Sequence, residues 1–204
     1  MAGLEVVWLG QAGFLYTFPN SVIVCTDPYL SHAATREKSR ERIMPIPVPA
    51  WEVAADVVIL THDHSDHFDE LTLRPMAESS QAIFVGPSSC LEHWRAMRLA
   101  EERFLRLDQG ETLSVAGVRL KAVYANHDSG SARDAIGVVL EAGSFVVYQI
   151  GDSEFDERLA EQARGLQPDL MCVPINGRLG NMTFDEAARL TAIVEPSMVV
   201  PMHY

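Results

Sequence analysis

Short runs of β-branched and aromatic residues recur along the chain, and their length and alternation predict ten strands. Several of these runs are joined by turn residues too few to hold a helix, at Pro19-Asn20, at Ala116-Gly117 and at residues 142–144. We therefore expect antiparallel hairpins at these points. The predicted strands cover residues 5–9, 14–18, 22–26, 57–61, 82–85, 118–125, 136–141, 145–150, 170–175 and 198–202.

Helical periodicity separates the other strands, at residues 68–78, 90–99, 156–164 and 184–193. Two of these segments open with the capping-box pattern, Ser89 with Glu92 and Thr183 with Glu186, in which each side chain satisfies a backbone donor at the helix start. The chain contains no internal repeat and no linker. This order predicts one domain over residues 1–204, of the α/β class (α+β in some schemes), built as a four-layer αββα sandwich of two mixed β-sheets.

One stretch, residues 31–51, lacks either periodicity. It carries the basic residues Arg36, Lys38, Arg40 and Arg42, followed by prolines at alternate positions. A charged stretch of this kind is typical of a solvated loop. Long loops in compact domains also serve as flaps over a site or as contacts in an oligomer, so both interpretations stand.

Composition and charge narrow the class of protein. The chain is 48% hydrophobic, which is enough apolar material for a core and excludes a disordered or collagen-like protein. The net charge of −12 disfavours nucleic acid and anionic membranes as partners, because both repel an acidic surface. We therefore expect a small-molecule substrate, with a homo-oligomer as a further possibility.

The cysteines and the N-terminus indicate a compartment. Cys25, Cys90 and Cys172 are odd in number and widely spaced, so we expect free, packed thiols and a reducing environment. The N-terminus lacks the basic and apolar regions of a signal peptide, and no stretch approaches the ~18 apolar residues of a membrane span. These features predict a cytoplasmic protein.

The chemistry concentrates in residues 61–69, directly after a predicted strand. Three histidines and three aspartates fall within eight positions there, a crowding that strongly indicates metal binding. His62 and His64 are alternate residues leaving a strand, so their side chains can approach one metal together. Asp66 and His67 follow on the next turn, placed for a second metal.

Three further candidate ligands, His127, Asp152 and His203, each follow an apolar strand later in the chain. Their shared position predicts that they gather at one edge of the sheets. Singly, each is more typical of a loop residue than of a ligand. Together with the first cluster they account for five of the seven histidines.

The His62-x-His64-x-Asp66-His67 run, followed by His127, Asp152 and His203, resembles the metallo-β-lactamase fold superfamily in order and in strand context. The resemblance covers almost the whole chain. Three further segments, 8–14, 26–31 and 174–183, are similar to the branch that contains bacterial L-ascorbate-6-phosphate lactonases.

The resemblance implies a ligand set for two divalent ions, zinc or manganese. It implies that His62, His64 and His127 hold the first ion, that Asp66, His67 and His203 hold the second, and that Asp152 bridges them. Two such ions can share a water and present hydroxide at neutral pH, so hydrolysis is the expected reaction, with Asp66 orienting the nucleophile or returning a proton. The expected substrate is a cyclic ester, a sugar or sugar-phosphate lactone.

Other candidate residues and functions stay open at this point. Asp27 could accept a hydrogen bond from a ligand imidazole and fix its tautomer, or could simply end a strand. Asn176 and Arg178 could bind a substrate phosphate or carboxylate, or lie in an exposed loop. The alternatives to a lactonase are a phosphodiesterase or phospholipase-like hydrolase on the same fold and a non-catalytic metal-binding protein. Family members usually continue past the last histidine, so we expect a truncated C-terminal end.

Overall fold

The structure of the protein is a computed structural model that describes residues 3–33, 42–127 and 134–203. The predicted loop at residues 31–51 is described in part, and its basic residues Arg36, Lys38 and Arg40 lie outside the described residues. Both interpretations of that loop stay predictions. Within the described residues, no helix combines the length and the apolar character that crossing a bilayer requires.

The chain divides into two compact units, Met1–Arg106 and Leu107–Tyr204. Each unit holds one six-stranded sheet. The prediction of a single domain over residues 1–204 stays a prediction.

In the first unit the strands lie side by side in sequence order. They are β1 (Glu5–Gly10), β2 (Gly13–Thr17), β3 (Ile23–Thr26), β4 (Val57–Ile59), β5 (Ile83–Gly86) and β6 (Phe104–Arg106). The β1, β2 and β3 strands pair antiparallel, and the strands from β3 to β6 pair parallel, so the sheet is mixed. The carboxyl ends of β3 and β4 therefore meet at one edge, where functional groups commonly gather in parallel sheets.

In the second unit the sheet is also mixed, with the order β12-β11-β10-β9-β8-β7. Its strands are β7 (Thr112–Val115), β8 (Val118–Tyr124), β9 (Ile136–Ala142), β10 (Phe145–Gln149), β11 (Leu170–Pro174) and β12 (Val199–Met202). β10, β11 and β12 are parallel, whereas β7 to β10 pair antiparallel. Since β8 and β10 are each antiparallel to β9, the carboxyl ends of β8, β10, β11 and β12 share one edge.

The described residues form four α-helices, all of them predicted. The first unit contains α1 (Glu70–Ser79) and α2 (Ser88–Ala96), and the second contains α3 (Glu157–Ala163) and α4 (Phe184–Val194). The predicted capping box of α4 is confirmed, because Thr183 and Glu186 satisfy each other's backbone N–H groups. The predicted capping box at Ser89 is wrong. Helix α2 already begins at Ser88, with Pro87 at its N-cap and no side-chain cap.

Each unit has its own apolar core. In the first, the ring centroid of the buried Trp94 of α2 lies 4.5 Å from that of Phe84 and 5.5 Å from that of Phe104. The Trp94 indole N–H donates to the Ala100 carbonyl at 3.1 Å. In the second, α3 and α4 bury Leu159 and Leu190 beneath the sheet residues around Met171. The three cysteines are buried, as predicted, and none of them forms a disulfide bond.

All ten predicted strands are present, with ends shifted by one or two residues. The predicted hairpin turns at Pro19-Asn20, at Ala116-Gly117 and at residues 142–144 each join an antiparallel pair. Two strands, β6 and β7, were not predicted. Each is short and lies at the edge of its sheet, so neither carries the long apolar run by which a buried strand is recognised.

Candidate metal centre

The first unit places a histidine-rich turn at the carboxyl end of β4. The strand ends at Ile59, and His62 and His67 beyond it are both fully buried. The turn is closed by backbone hydrogen bonds from the His67 and Phe68 N–H groups to the His64 carbonyl, at 2.9 and 2.7 Å. Three imidazoles are thereby held together although histidine is usually found near the surface.

The His62 and His64 side chains converge at the level of single atoms. His62 Nε2 lies 3.0 Å from His64 Nδ1, and the two rings meet edge to face with centroids 4.7 Å apart. Two nitrogen ligands on one tetrahedral zinc, each about 2.0–2.1 Å from it, lie roughly 3.3 Å apart. The observed separation is therefore close to that of two ligands of one ion. His67 also packs on His62, at 4.0 Å between centroids.

Asp27, directly after β3, determines which ring nitrogen carries the proton in His67 and in His62. Its buried carboxylate accepts hydrogen bonds from the Thr61 N–H at 2.8 Å, from the Thr61 hydroxyl at 2.8 Å and from His67 Nδ1 at 3.0 Å. A carboxylate can only accept, so His67 carries its proton on Nδ1, and its Nε2 is left as a metal-binding atom.

The same network reaches His62 through Thr61. The Thr61 hydroxyl donates its single proton to Asp27, so it can only accept from His62 Nδ1, which lies 3.0 Å away. His62 therefore also keeps its proton on Nδ1. The lone pair of His62 Nε2 then points toward His64, which is the arrangement a shared cation requires.

Asp66 lies within the same turn, and its orientation is set by Gln11. Gln11 Nε2 donates to Asp66 Oδ2 at 2.5 Å. Gln11 has a left-handed backbone (φ 53°), and its carbonyl accepts from the Trp8 indole at 3.1 Å. Gln11 is thus held at both its backbone and its side chain. One ligand atom of Asp66 lies within 4.8 Å of one from His67.

Asp63, the neighbouring acid, is directed elsewhere. Its carboxylate lies 3.4 Å from Nε2 of His93, a residue of α2, and its side chain is 4% exposed. Two aspartates three positions apart in one turn therefore have different environments.

In the second unit, His127 follows β8 and is held by a backbone carbonyl. Its Nδ1 lies 2.9 Å from the Gly180 oxygen, and the side chain is buried. A carbonyl oxygen can only accept, so His127 carries its proton on Nδ1 and leaves Nε2 for a metal.

Asp152 and His203 lie together after β10 and β12. Asp152 Oδ2 is 3.3 Å from His203 Nε2, and both side chains are buried. Asn181 Nδ2 donates to the same Asp152 oxygen at 2.9 Å, while Asn181 Oδ1 accepts from the Ser153 N–H at 2.9 Å. On the other side, Asn176 Nδ2 lies 2.9 Å from His203 Nδ1.

The two predicted substrate residues have different surroundings. Asn176 contacts His203, so its side chain lies against a candidate ligand. Arg178 is exposed, and its backbone N–H donates to Asn176 Oδ1 at 3.2 Å. Their roles toward a substrate stay predictions.

The donor set of each unit fits a divalent metal. Neutral imidazoles with Nδ1 protonated, together with hydrogen-bonded carboxylates, are the usual ligands of zinc and related ions. The imidazoles of His62, His67 and His127 have their tautomers fixed by acceptors at Nδ1. His203 differs, because Asn176 Oδ1 accepts from the Arg178 N–H and the Asn176 NH2 group therefore faces His203 Nδ1.

Three residues of this site were not predicted as part of it: Thr61, Gly180 and Asn181. None is a histidine, a cysteine or an acid, and each acts through a hydrogen bond to a residue that is. Gly180 and Asn181 lie with Asn176 in the 174–183 segment that carries part of the family resemblance, which is the signal in the sequence that points to them.

The sequence is similar to a known family over most of its length. The model of the family described as Beta-lactamase superfamily domain matches residues 23–204. That range includes every predicted metal ligand and Asp27. It leaves out β1 and β2, and with them Gln11.

Individual proteins of known name or structure are similar to this chain at low sequence identity. A UPF0173 metal-dependent hydrolase of Myxococcus xanthus is 28% identical over 211 residues, which cover 98% of this chain and 70% of that protein. The solved structure of Igni18, a metallo hydrolase from the archaeon Ignicoccus hospitalis, has a TM-score of 0.76 at 20% identity and covers 98% of this chain and 82% of that one. An isothiocyanate hydrolase from Delia radicum gut bacteria has a TM-score of 0.76 at 18% identity and covers 97% and 84%. These two structures share the fold of this chain.

Proposed function

This chain belongs to the Beta-lactamase superfamily domain family, and from that membership we propose that it is a metal-dependent hydrolase. Its predicted fold class, a metallo-β-lactamase fold with two mixed sheets, is confirmed. The observation that carries the proposal is the approach of His62 Nε2 to His64 Nδ1 at 3.0 Å, with the His62 lone pair directed by Thr61 and Asp27. Relatives that are metal-dependent hydrolases support the same reaction class.

We propose two divalent ions per chain, zinc or manganese. The grouping follows the family resemblance: His62, His64 and His127 for the first ion, Asp66, His67 and His203 for the second, and Asp152 as the bridge. The hydrogen bonds within each unit support it, because they leave Nε2 of His62, His67 and His127 available. The ions supply Lewis acidity and lower the pKa of water toward neutrality when bound.

The protein's own residues perform the remaining tasks. Asp66, oriented by Gln11, aligns the attacking water and returns a proton to the leaving group. Arg178 is exposed and cationic, which suits it to bind an anionic group of the substrate. The proposed substrate is a small molecule with a cyclic ester, a lactone of a sugar or sugar phosphate, in line with the resemblance to the lactonase branch.

The metal stoichiometry and Asp66 test the reaction class. We expect protein purified without chelator to contain close to two divalent ions per chain by elemental analysis. We expect Asp66→Asn to abolish hydrolysis, because it removes a charged ligand and the proton carrier together.

Asp63→Asn is the matched control, since Asp63 lies in the same turn but contacts His93. It should retain most of the activity. Saturation by a single ion would rule out the two-ion centre. Equal loss of activity in both variants would mean that the acids of this turn have been assigned wrongly.

The substrate class is tested with four compounds: a sugar lactone, its phosphorylated form, a phosphodiester and a β-lactam. We expect the phosphorylated lactone to be preferred. Replacing Arg178 by Ala should raise KM for it about tenfold to a hundredfold, the loss typical of a charge-assisted hydrogen bond, and should leave the unphosphorylated lactone nearly unaffected. Turnover of the phosphodiester alone would replace the lactonase assignment by a phosphodiesterase.

A further inference from the structure

We propose that residues 176–183, named here the 176–183 loop, form a single positioning element for all the candidate metal ligands of the second unit, with Gly180 as its least replaceable residue. The inference rests on the proposed function, because it concerns how those ligands are held for a metal. It assigns roles to Gly180 and Asn181, which are positioning residues and contact no reacting atom.

The loop is a closed structure with fixed ends. An isolated bridge joins Asn176 and Thr183, and the Gly177 N–H donates to the Met182 carbonyl at 2.9 Å. β11 precedes the loop, and the capped start of α4 follows it. A further bond, from the Met182 N–H to the Ser153 carbonyl at 2.8 Å, ties the loop to the residue after Asp152.

Each candidate ligand of this unit receives one contact from the loop. The Gly180 carbonyl accepts from His127 Nδ1 at 2.9 Å, and Asn181 donates to Asp152 at 2.9 Å. Asn176 lies 2.9 Å from His203 Nδ1. The three ligands follow three different strands, so the loop is the common element that sets them relative to one another.

Gly180 is required for a steric reason. A Cβ at this position would lie 2.7 Å from His127 Nδ1, closer than real Cβ atoms approach other groups, and 3.1 Å from His127 Cε1, which is also tight. The backbone is also left-handed, with φ +81°. Any side chain would push the His127 ring away from the carbonyl that fixes its tautomer. The His127 ring cannot simply move away from the added methyl group, because His127 is buried.

Gly165 provides a matched control in the same unit. Its backbone is left-handed to the same degree, with φ +77°, and a Cβ there would meet nothing within 4 Å. Gly165→Ala therefore introduces a similar backbone strain from the positive φ as Gly180→Ala, but it displaces no candidate ligand. The comparison separates backbone strain from displacement of His127.

The test is a titration of full-length, chelator-treated protein with Zn²⁺ and with Co²⁺, whose visible spectrum reports ligand geometry. Loss of a hydrogen-bonding partner of a metal ligand typically weakens binding 10–100-fold. We expect Gly180→Ala to weaken binding by about that factor and to change the Co²⁺ spectrum. Gly165→Ala should match the wild type in both.

A second pair of variants keeps the test decisive if Gly180→Ala does not fold. Asn181→Ala removes the donor to Asp152, and Leu179→Ala changes an exposed neighbour in the same loop. Asn181→Ala should weaken metal binding by about tenfold or more while Leu179→Ala does not. Metal-free thermal unfolding of all variants shows which ones retain the fold.

The outcomes separate the two proposals. If the wild type binds metal and the folded loop variants bind it as tightly as their controls, the positioning role is wrong and the proposed function stands. If the wild type binds no divalent metal, the proposed function is wrong and this inference falls with it.

Discussion

Asp27 shows how much of a metal site can depend on one residue that is not itself a ligand. Its carboxylate accepts three hydrogen bonds and thereby fixes the tautomers of His67 directly and of His62 through Thr61. Its backbone is left-handed (φ 39°), a conformation that asparagine tolerates as well as aspartate. Asp27→Asn therefore tests the charge and the acceptors without straining the chain.

We expect Asp27→Asn to weaken metal binding about 10–100-fold, because an amide N–H group facing His67 favours the tautomer whose Nε2 is protonated. Unfolding of the metal-free protein in urea should show a loss of about 1–3 kcal/mol from buried donors that lack an acceptor. Asp56→Asn is the control. Asp56 accepts the Ile23 N–H at 2.8 Å just before β4, away from the histidine turn, and its variant should bind metal normally. Equal affinities in both variants would contradict the role of Asp27.

At the scale of single residues, the sequence indicates candidate metal ligands more directly than it indicates the residues that hydrogen-bond to them. Histidine and aspartate at alternate positions after a strand indicate metal binding by residue type alone. Gly180, Asn181 and Gln11 act through hydrogen bonds to partners tens of residues away, so their roles depend on the fold.

At the scale of elements, the strand ends are the most informative feature of the chain. β3 and β4 in the first unit, and β8, β10, β11 and β12 in the second, each carry a polar residue of the candidate site within three residues beyond the carboxyl end. The apolar runs that predict β3, β4, β10 and β11 are recognisable because these strands are buried along most of their length. The alternating, partly exposed pattern of β7 and the three residues of β6 are too weak to be recognised.

Helix starts illustrate the limit of local patterns. Thr183 and Glu186 form the capping box that their spacing predicts, whereas Ser89 and Glu92 have the same spacing and do not. The difference is Pro87, which has a fixed φ suited to the boundary and lets α2 begin one residue before Ser89. A pattern of side chains predicts that a helix begins nearby, and backbone geometry decides the residue.

At the scale of the whole molecule, the order of strands and helices predicts two mixed sheets. The resemblance to the superfamily agrees with this, since residue order and strand context persist where identity is low. The predicted grouping of strands into two mixed sheets is confirmed, and each sheet has six strands. Composition and charge exclude classes of protein but do not specify a substrate, because recognition depends on a few side chains and not on the average composition.

The three buried thiols can be used to monitor the unfolding of each unit. Cys25 in β3 and Cys90 in α2 belong to the first unit, and Cys172 in β11 belongs to the second. Burial, reinforced by the nearby charge of Asp27, raises the pKa of the Cys25 thiol well above its usual range. The reactive thiolate is therefore suppressed in the folded chain even at pH 9.

Iodoacetamide pulses at increasing denaturant concentration therefore measure the opening of each unit separately. The labelling of the three cysteine-containing peptides is quantified by mass spectrometry. We expect no alkylation of the native protein, and equal labelling rates for Cys25 and Cys90, because both report the exposure of one core. The labelling rate of Cys172 reports the opening of the second unit independently. Labelling of Cys90 well before Cys25 would instead reveal that α2 detaches while its sheet is still intact.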